Sequence, residues 1–305
     1  MNENVIPRAI LSPSETKKYN AEIVQLMSVL LNVAPDFADI EAVREIADAS
    51  GVSIEYAYAE MIAAMFDLDT VGRDRAFFRN YFLPMVHELS NEEFEADSYY
   101  KNIVIPSDRN GKWELKTMEL KAGEAFVCRD FLVTDDGRMI PQIGFFTKPF
   151  RYPAVLENGR EWMTLMPNET VTTLPAVKKA KGKVLTYGMG LGYYAYMASN
   201  RPEVDSVTVV DISGEVIELF NKHILPQFPN RDKIRVIKCD AFEYAEKEMP
   251  REKYDCVFAD IWHDVGDGRD IYLKMKEYEK NCPGTVFDYW LEDTIKCYLD
   301  RELWP

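Results

Sequence analysis

Histidine and cysteine are scarce: 305 residues include three His and five Cys. The thiols, Cys128, Cys239, Cys256, Cys282 and Cys297, are scattered. No C-x-x-C pair occurs, and no His stands near a thiol at ligand spacing. Neither a zinc centre nor a disulfide framework is expected, and buried reduced thiols of a cytosolic protein fit best. Long apolar runs are also missing. The most apolar helical stretch, "IVQLMSVLLNV", is too short and too amphipathic to span a bilayer. The opening "MNENVIPRAILSPSE" has no basic segment followed by an apolar one, so no secretory leader is expected and a cytoplasmic location is. Positive charge is in deficit, with 36 Lys and Arg against 51 Asp and Glu, a net −15. Such a surface repels phosphates, so neither nucleic acid nor an anionic membrane is the expected partner. There is no internal repeat and no low-complexity tract.

What is present suits a protein of more than one domain: 47% of the residues are hydrophobic. The first third reads as helices. Ser12-Pro13-Ser14-Glu15 combines an N-cap, a proline at the first helical position and an acid at the third. Ile23, Leu26, Met27, Leu30 and Leu31 then share one helical face. A second helix is expected from near Asp36 to Ser50 with Gly51 as its stop, and others over 53–67, 73–88 and 92–102. Residues 111–166 are rich in β-branched and aromatic side chains. Ala122-Gly123, Asp136-Gly137 and Asn158-Gly159 punctuate them as turns, which predicts a small antiparallel β region. From Lys183 onward the pattern alternates. The strands "KVLTY", "SVTVVDI", "KIRVIKC", "YDCVFAD" and "GTVFDYW" are separated by helices starting near Gly192, Gly214, Ala241 and Gly268, and "LEDTIKCYLDRELWP" reads as a closing helix. The expected fold is α/β: a doubly wound, mostly parallel Rossmann-like sheet after a helical domain and a small antiparallel region. The expected boundaries are 1–110, 111–170 and 171–305.

The chemistry-bearing motif is "LTYGMGLGYYAYMAS". A glycine-rich loop between a strand and a helix lets a ligand approach the backbone, and amides at the helix N-terminus face it. In a doubly wound sheet that place lies beyond the strands' carboxyl ends. Three further strands end in acids there. Asp211 comes about 20 residues after the glycines, where an acid can accept from both hydroxyls of a ribose. Asp240-Ala241 can reach an adenine amino group. Asp260 faces the place of the reacting group.

The spacing is G-x-G-x-G, not the G-x-G-x-x-G of dinucleotide sites, which leaves a nicotinamide-dependent oxidoreductase a distant reading. The arrangement resembles the class I S-adenosylmethionine-dependent methyltransferases over roughly residues 183–290. Within that superfamily the chain most resembles spermidine synthase-like proteins. Gly188-Met189-Gly190-Leu191-Gly192-Tyr193 lines up with their "GGGDGG". "VTVVDISGEVIELF" resembles their acid-bearing second strand and helix, and "DAFEYAEK" their "DGFEFL" segment. "YDCVFADIWHD" lies where they carry D-S-S-D. Three departures stand out: Leu191 replaces the loop acid, Asp260-Ile261-Trp262-His263-Asp264 matches D-S-S-D only in part, and Thr186 stands where methyltransferases usually carry an acid.

The resemblance implies S-adenosyl-L-methionine as cofactor, with contacts from Gly188, Gly190, Gly192, Asp211, Ile212, Asp240 and Ala241. It implies a small-molecule acceptor and methyl transfer, with aminopropyl transfer or a non-enzymatic nucleoside-binding regulator as alternatives. Asp260 is the first candidate to take a proton from an amine or to orient it, ahead of His263 and Asp264, whose acids can instead cap a helix near Arg269. Trp162, Asn168 and Glu169 in "WMTLMPNET" form a candidate wall. Arg73, Arg75 and Arg79 in "GRDRAFFRNYF" fit an amphipathic helix better than an anion site. "VREIADASGVSIEYAYAEMIAAMF" has the form of a helix-turn-helix, but its second helix carries Glu55 and Glu60 and no cation, which argues against a DNA groove. Trp- and Phe-rich hairpins often meet a second copy, which keeps a homodimer open.

Overall fold

Five strands of the last third run parallel, ordered β3-β2-β1-β4-β5: β1 (Gly182–Tyr187), β2 (Val204–Asp211), β3 (Ile234–Lys238), β4 (Cys256–Ala259) and β5 (Val286–Tyr289). This is a Rossmann-like sheet. Helices Tyr193–Ser199, Gly214–Leu219, Ala241–Lys247 and Val265–Glu279 make the crossovers. The strands are short and apolar because both faces are covered: Val184, Leu185, Val207, Val209, Val210, Val257 and Phe258 are all buried. The computed structural model describes residues 10–305; residues 1–9, where the segment read for a leader begins, lie outside them. No helix among the described residues is long and apolar enough to cross a membrane.

The chain divides into two compact units, one of residues 10–91, 120–150 and 296–305, the other of 92–119 and 151–295. The β-rich stretch contributes to both. In the first unit, strand Met139–Phe146 lies between Val86–Leu89, to which it is parallel, and Phe126–Val133, to which it is antiparallel. In the second, a four-stranded sheet is ordered Asp108–Asn110, Trp113–Leu120, Phe150–Glu157, Arg160–Thr164, with an antiparallel hairpin at each side.

The first unit packs its helices around an aromatic core. Ser12 caps helix Pro13–Val33 with the reciprocal Glu15 bond. The second helix starts at Ile40, because Asp39 accepts the Ala42 amide while Asp36 pairs with Lys121. Tyr58 stacks on Phe145 at 3.9 Å and donates to the Gly123 carbonyl at 2.9 Å. The second helix of the turn at Gly51 buries Ala57, Tyr58, Ala59, Ile62 and Ala63. In the arginine-rich segment Phe77, Phe78, Tyr81 and Phe82 are core, while Arg73 pairs with Asp74. Helical backbone expected through residue 88 stops at Met85, where Val86–Leu89 joins the sheet against Ile143–Phe146.

Candidate active site

The register of the parallel sheet builds the site, which lies wholly within the second unit. Tyr187 at the end of β1 sits opposite Val210 of β2 and Ala259 of β4, and Asp211 sits opposite Lys238 of β3. One residue further along each strand, the ladders continue: Gly188 N donates to Val210 O (2.9 Å), Cys239 N to Asp211 O (3.0 Å), Asp260 N to Tyr187 O (3.0 Å) and Trp290 N to Ala259 O (3.0 Å). Gly188, Asp211, Asp240 and Asp260 thereby reach one rim. Between β1 and β4 the strand order reverses, the place where an open α/β sheet leaves a crevice. A crevice of about 610 Å³ opens there, within the range of small-molecule sites.

Of the residues singled out from sequence, Gly188, Gly190, Asp211, Ile212, Asp240, Ala241, Asp260, His263, Glu169 and Trp162 border this crevice. Gly188 has φ +88°, and a Cβ on it would lie 1.8 Å from the Asp260 carbonyl oxygen. Gly190 has φ +48°, and its missing Cβ makes room for the Met163 thioether, whose Sδ accepts the Leu191 amide at 3.3 Å. Gly192 is not on the crevice. Its φ of +76° and the Phe220 ring, 2.4 Å from where a Cβ would be, account for glycine there by turning and packing. Asn168 is also outside the lining, with a buried Oδ1 that has no partner.

The rim acids differ in what already holds them. Asp211 accepts Met189 N (Oδ2, 3.0 Å) and Ser213 N (Oδ1, 2.8 Å), so it ties the glycine loop to β2 and keeps a lone pair on each oxygen for a ligand. Burial holds its pKa above the ordinary carboxylate value, against the lowering by those amides. Asp240 caps helix Ala241–Lys247 through Oδ1, which accepts Phe242 N and Glu243 N. Asp264 caps helix Val265–Glu279 in a reciprocal box with Asp267, so this helix begins four residues before Arg269, and Asp264 is absent from the lining. His263 stays at the mouth, its Nε2 3.1 Å from the Glu161 carbonyl oxygen.

Asp260 and Glu169, from the first turn of helix Pro167–Lys179, share the inner end of the crevice with Gly188 and Met189. Neither carboxylate has a hydrogen-bond partner or a cation beside it among the described residues. Burial pushes Asp260 up to about 7. Burial, then the Asp260 charge, holds Glu169 well above the usual carboxylate range.

The outer wall is aromatic. Trp113 meets Trp162 edge-on at 5.7 Å, and Trp162 meets His263 at 5.9 Å. Trp262 fills the floor against Gly268, where a Cβ would lie 2.7 Å from its ring. The indole N–H groups of Trp113 and Trp262 are buried without partners. Six carboxylates line the crevice (Glu157, Glu169, Asp211, Glu215, Asp240, Asp260) against one ammonium, Lys112, already paired with Glu157. Acids and π-faces together favour a cationic ligand. Lys112, Trp113, Glu157, Met163, Trp262 and Trp290 also line the crevice, and no sequence motif assigns them there. They come from strands and turns whose approach to the rim is set by tertiary packing. No cluster of three or more His, Cys, Asp or Glu placed to hold a metal occurs among the described residues.

The fold and rim define a Rossmann-like α/β protein with a glycine-loop crevice. No family model matches the chain, and no curated protein does. Solved structures match in part. A precorrin 8W decarboxylase of Methanobacterium thermoautotrophicum aligns at 20% identity and TM-score 0.31, over 40% of this chain and 62% of its own. A spermidine synthase from Thermotoga maritima aligns at 15% identity and TM-score 0.37, over 61% and 56%. A methyltransferase from Geobacter sulfurreducens aligns at 17% identity and TM-score 0.29, over 38% and 54%. The chain therefore spans between half and two thirds of the length of each.

Proposed function

We propose that the second unit is a transferase that moves a group from an S-adenosyl sulfonium donor to an amine of a small molecule, and that the group is aminopropyl. The observation that carries this reading is the Asp260–Glu169 pair at the inner end of the crevice, unpartnered and beside the glycine loop. The cradle over Gly190 suits a sulfur-bearing arm, since it already accommodates a thioether. In this reading the Gly188–Gly190 backbone would hold the donor's arm, Asp211 its ribose and Asp240-Ala241 its base. When bound, the donor supplies an electrophilic carbon next to a cationic sulfur.

The chain's own part is binding, orientation and one proton. An amine acceptor enters as an ammonium and must shed a proton before its nitrogen can attack. A carboxylate with a pKa near 7 is suited to receive that proton on its oxygen, and Asp260 is the group so poised. Glu169 holds the cation beside it, and two adjacent acids cannot both ionise cheaply without a cation between them. Trp162, Trp113 and His263 cover the outer side and limit water. Aminopropyl is favoured over methyl because two unpartnered acids, with no cation beside them, await the donor's arm. A free amine suits that end, whereas an α-carboxylate is repelled there. Leu191 in place of the loop acid favours methyl transfer instead, as the second reading.

Incubation with decarboxylated S-adenosylmethionine and with S-adenosylmethionine, each with a diamine panel, separates the two by mass spectrometry. Release of 5′-methylthioadenosine from the first supports aminopropyl transfer. Release of S-adenosylhomocysteine from the second alone replaces it with methyl transfer. Binding of both without turnover makes the protein a nucleoside-binding regulator.

A further inference from the structure

Trp162 and Met163 are consecutive in a strand, yet both face the crevice. A regular strand would send them to opposite faces. The pairing explains the exception. Val155 sits opposite Met163, but Leu156 sits opposite Glu161, so Trp162 is an extra residue, a β-bulge. Bulges re-aim side chains, and this one turns Trp162 to the aromatic wall and Met163 to the glycine loop. The hairpin turn beneath has Asn158 and Gly159 both at positive φ, 51° and 80°, and strand Arg160–Thr164 lies at the edge of its sheet.

The Met163 side chain fills the cradle that Gly190 leaves open. A Cβ at Gly190 would be 1.6 Å from its Sδ and 2.5 Å from its Cε, and Sδ accepts the Leu191 amide. The same side chain borders the small cavity that contains Asp260 and Glu169. A thioether on an alkyl chain therefore lies on the loop that, in the function proposed above, takes the donor's sulfur-bearing arm.

We infer that Met163 is a self-occupying stand-in for that arm and sets the donor specificity of the site. Resting on that reading, it makes a clear demand: a nucleoside with a full arm displaces the Met163 side chain from Gly190 and gives up the Leu191 amide bond to do so. A nucleoside without the arm binds the outer crevice and leaves Met163 in place. The edge strand and its bulge let the side chain swing out without unpairing the central strands.

The test titrates wild type, Met163→Ala and Met163→Leu with decarboxylated S-adenosylmethionine, which has the arm, and adenosine, which lacks it, by calorimetry. The expected result is at least fivefold tighter binding of the arm-bearing compound by Met163→Ala, less than twofold change for the armless one, and little gain for Met163→Leu, which keeps the bulk. In wild-type protein carrying ¹³C-methyl methionine, the Met163 methyl resonance, assigned by its loss in Met163→Leu, should move on saturation with the arm-bearing compound. That measurement decides the matter if the alanine variant does not fold. An equal change for both ligands, or a stationary methyl at saturation, overturns the inference and leaves the transferase reading standing. Failure of both compounds to bind either protein overturns both.

Discussion

A Cβ on Gly188 would lie 1.8 Å from the backbone oxygen of Asp260. The two residues leave adjacent parallel strands at one level, joined through the Asp260 amide and the Tyr187 carbonyl at 3.0 Å. Glycine is needed there for both dihedral and space. Gly188→Ala should therefore cost more than about 2 kcal/mol in a urea melt, because strain at positive φ adds to a backbone clash that cannot relax. Gly159→Ala is the control: its φ is +80° but nothing lies within 4 Å of a Cβ, so strain alone, about 1 kcal/mol, is expected. Equal costs would mean that the close approach at the rim contributes nothing.

The acid pair gives stability an unusual pH trend. Asp260 titrates near 7 in the folded chain and near 3.9 when unfolded. Between those values the folded state binds more protons, so its contribution to stability is greatest below the unfolded pKa and falls as pH rises toward 7, then levels off. Glu169, shifted in the same direction, adds to the trend. The difference in unfolding free energy between Asp260→Asn and wild type isolates it from other carboxylates. That difference should move in the variant's favour by roughly 3–4 kcal/mol from pH 4 to pH 7.5. A flat difference would show that Asp260 ionises normally.

Two acids that cap helices after strands of the sheet differ in role. Asp264 caps a helix and is off the crevice, whereas Asp240 caps a helix on it. Asp264→Ala should cost about 1 kcal/mol and leave nucleoside affinity unchanged. Asp240→Asn keeps a good capping residue, so stability should hold while affinity for an adenosine compound falls. Calorimetry on variants whose melts are already known checks both, and the reverse pattern would exchange the roles.

How legible this was depended on the range of the forces. Local signals worked: the Ser12–Glu15 cap, the Gly51 stop, and the short apolar strands whose carboxyl ends lead to Gly188, Asp211, Asp240 and Asp260 all follow from patterns within a few residues. Strand Val86–Leu89 has a helical pattern in the sequence, because the partner that makes it a strand, Ile143–Phe146, is remote in sequence. Gly192 resembles its neighbours in the motif, yet its reason is the ring of Phe220. The bulge at Trp162 has no sequence mark, so Met163 could not be placed on the loop beforehand. The pairing of Glu169 with Asp260 likewise required the helix after "LMP" to meet the end of β4 in space.

Asp211 offers the most direct test of nucleoside binding, and it must be separated from the loop's own need for the same carboxylate. Met189 and Ser213 amides occupy one lone pair on each oxygen. Asp211→Asn replaces one acceptor by an NH₂ donor, so whichever way the side chain turns one of the two amides loses its partner, and stability should fall by about 1–2 kcal/mol even if no ligand uses the carboxylate. A bare loss of affinity would thus be ambiguous. A cycle removes the ambiguity: wild type and variant are each titrated with 5′-methylthioadenosine and its 2′-deoxy analogue. If the carboxylate accepts from the ribose, wild type should prefer the hydroxylated ligand by about tenfold, and the variant should lose most of that preference. If both proteins discriminate equally, the hydroxyl is held elsewhere and Asp211 serves only the loop.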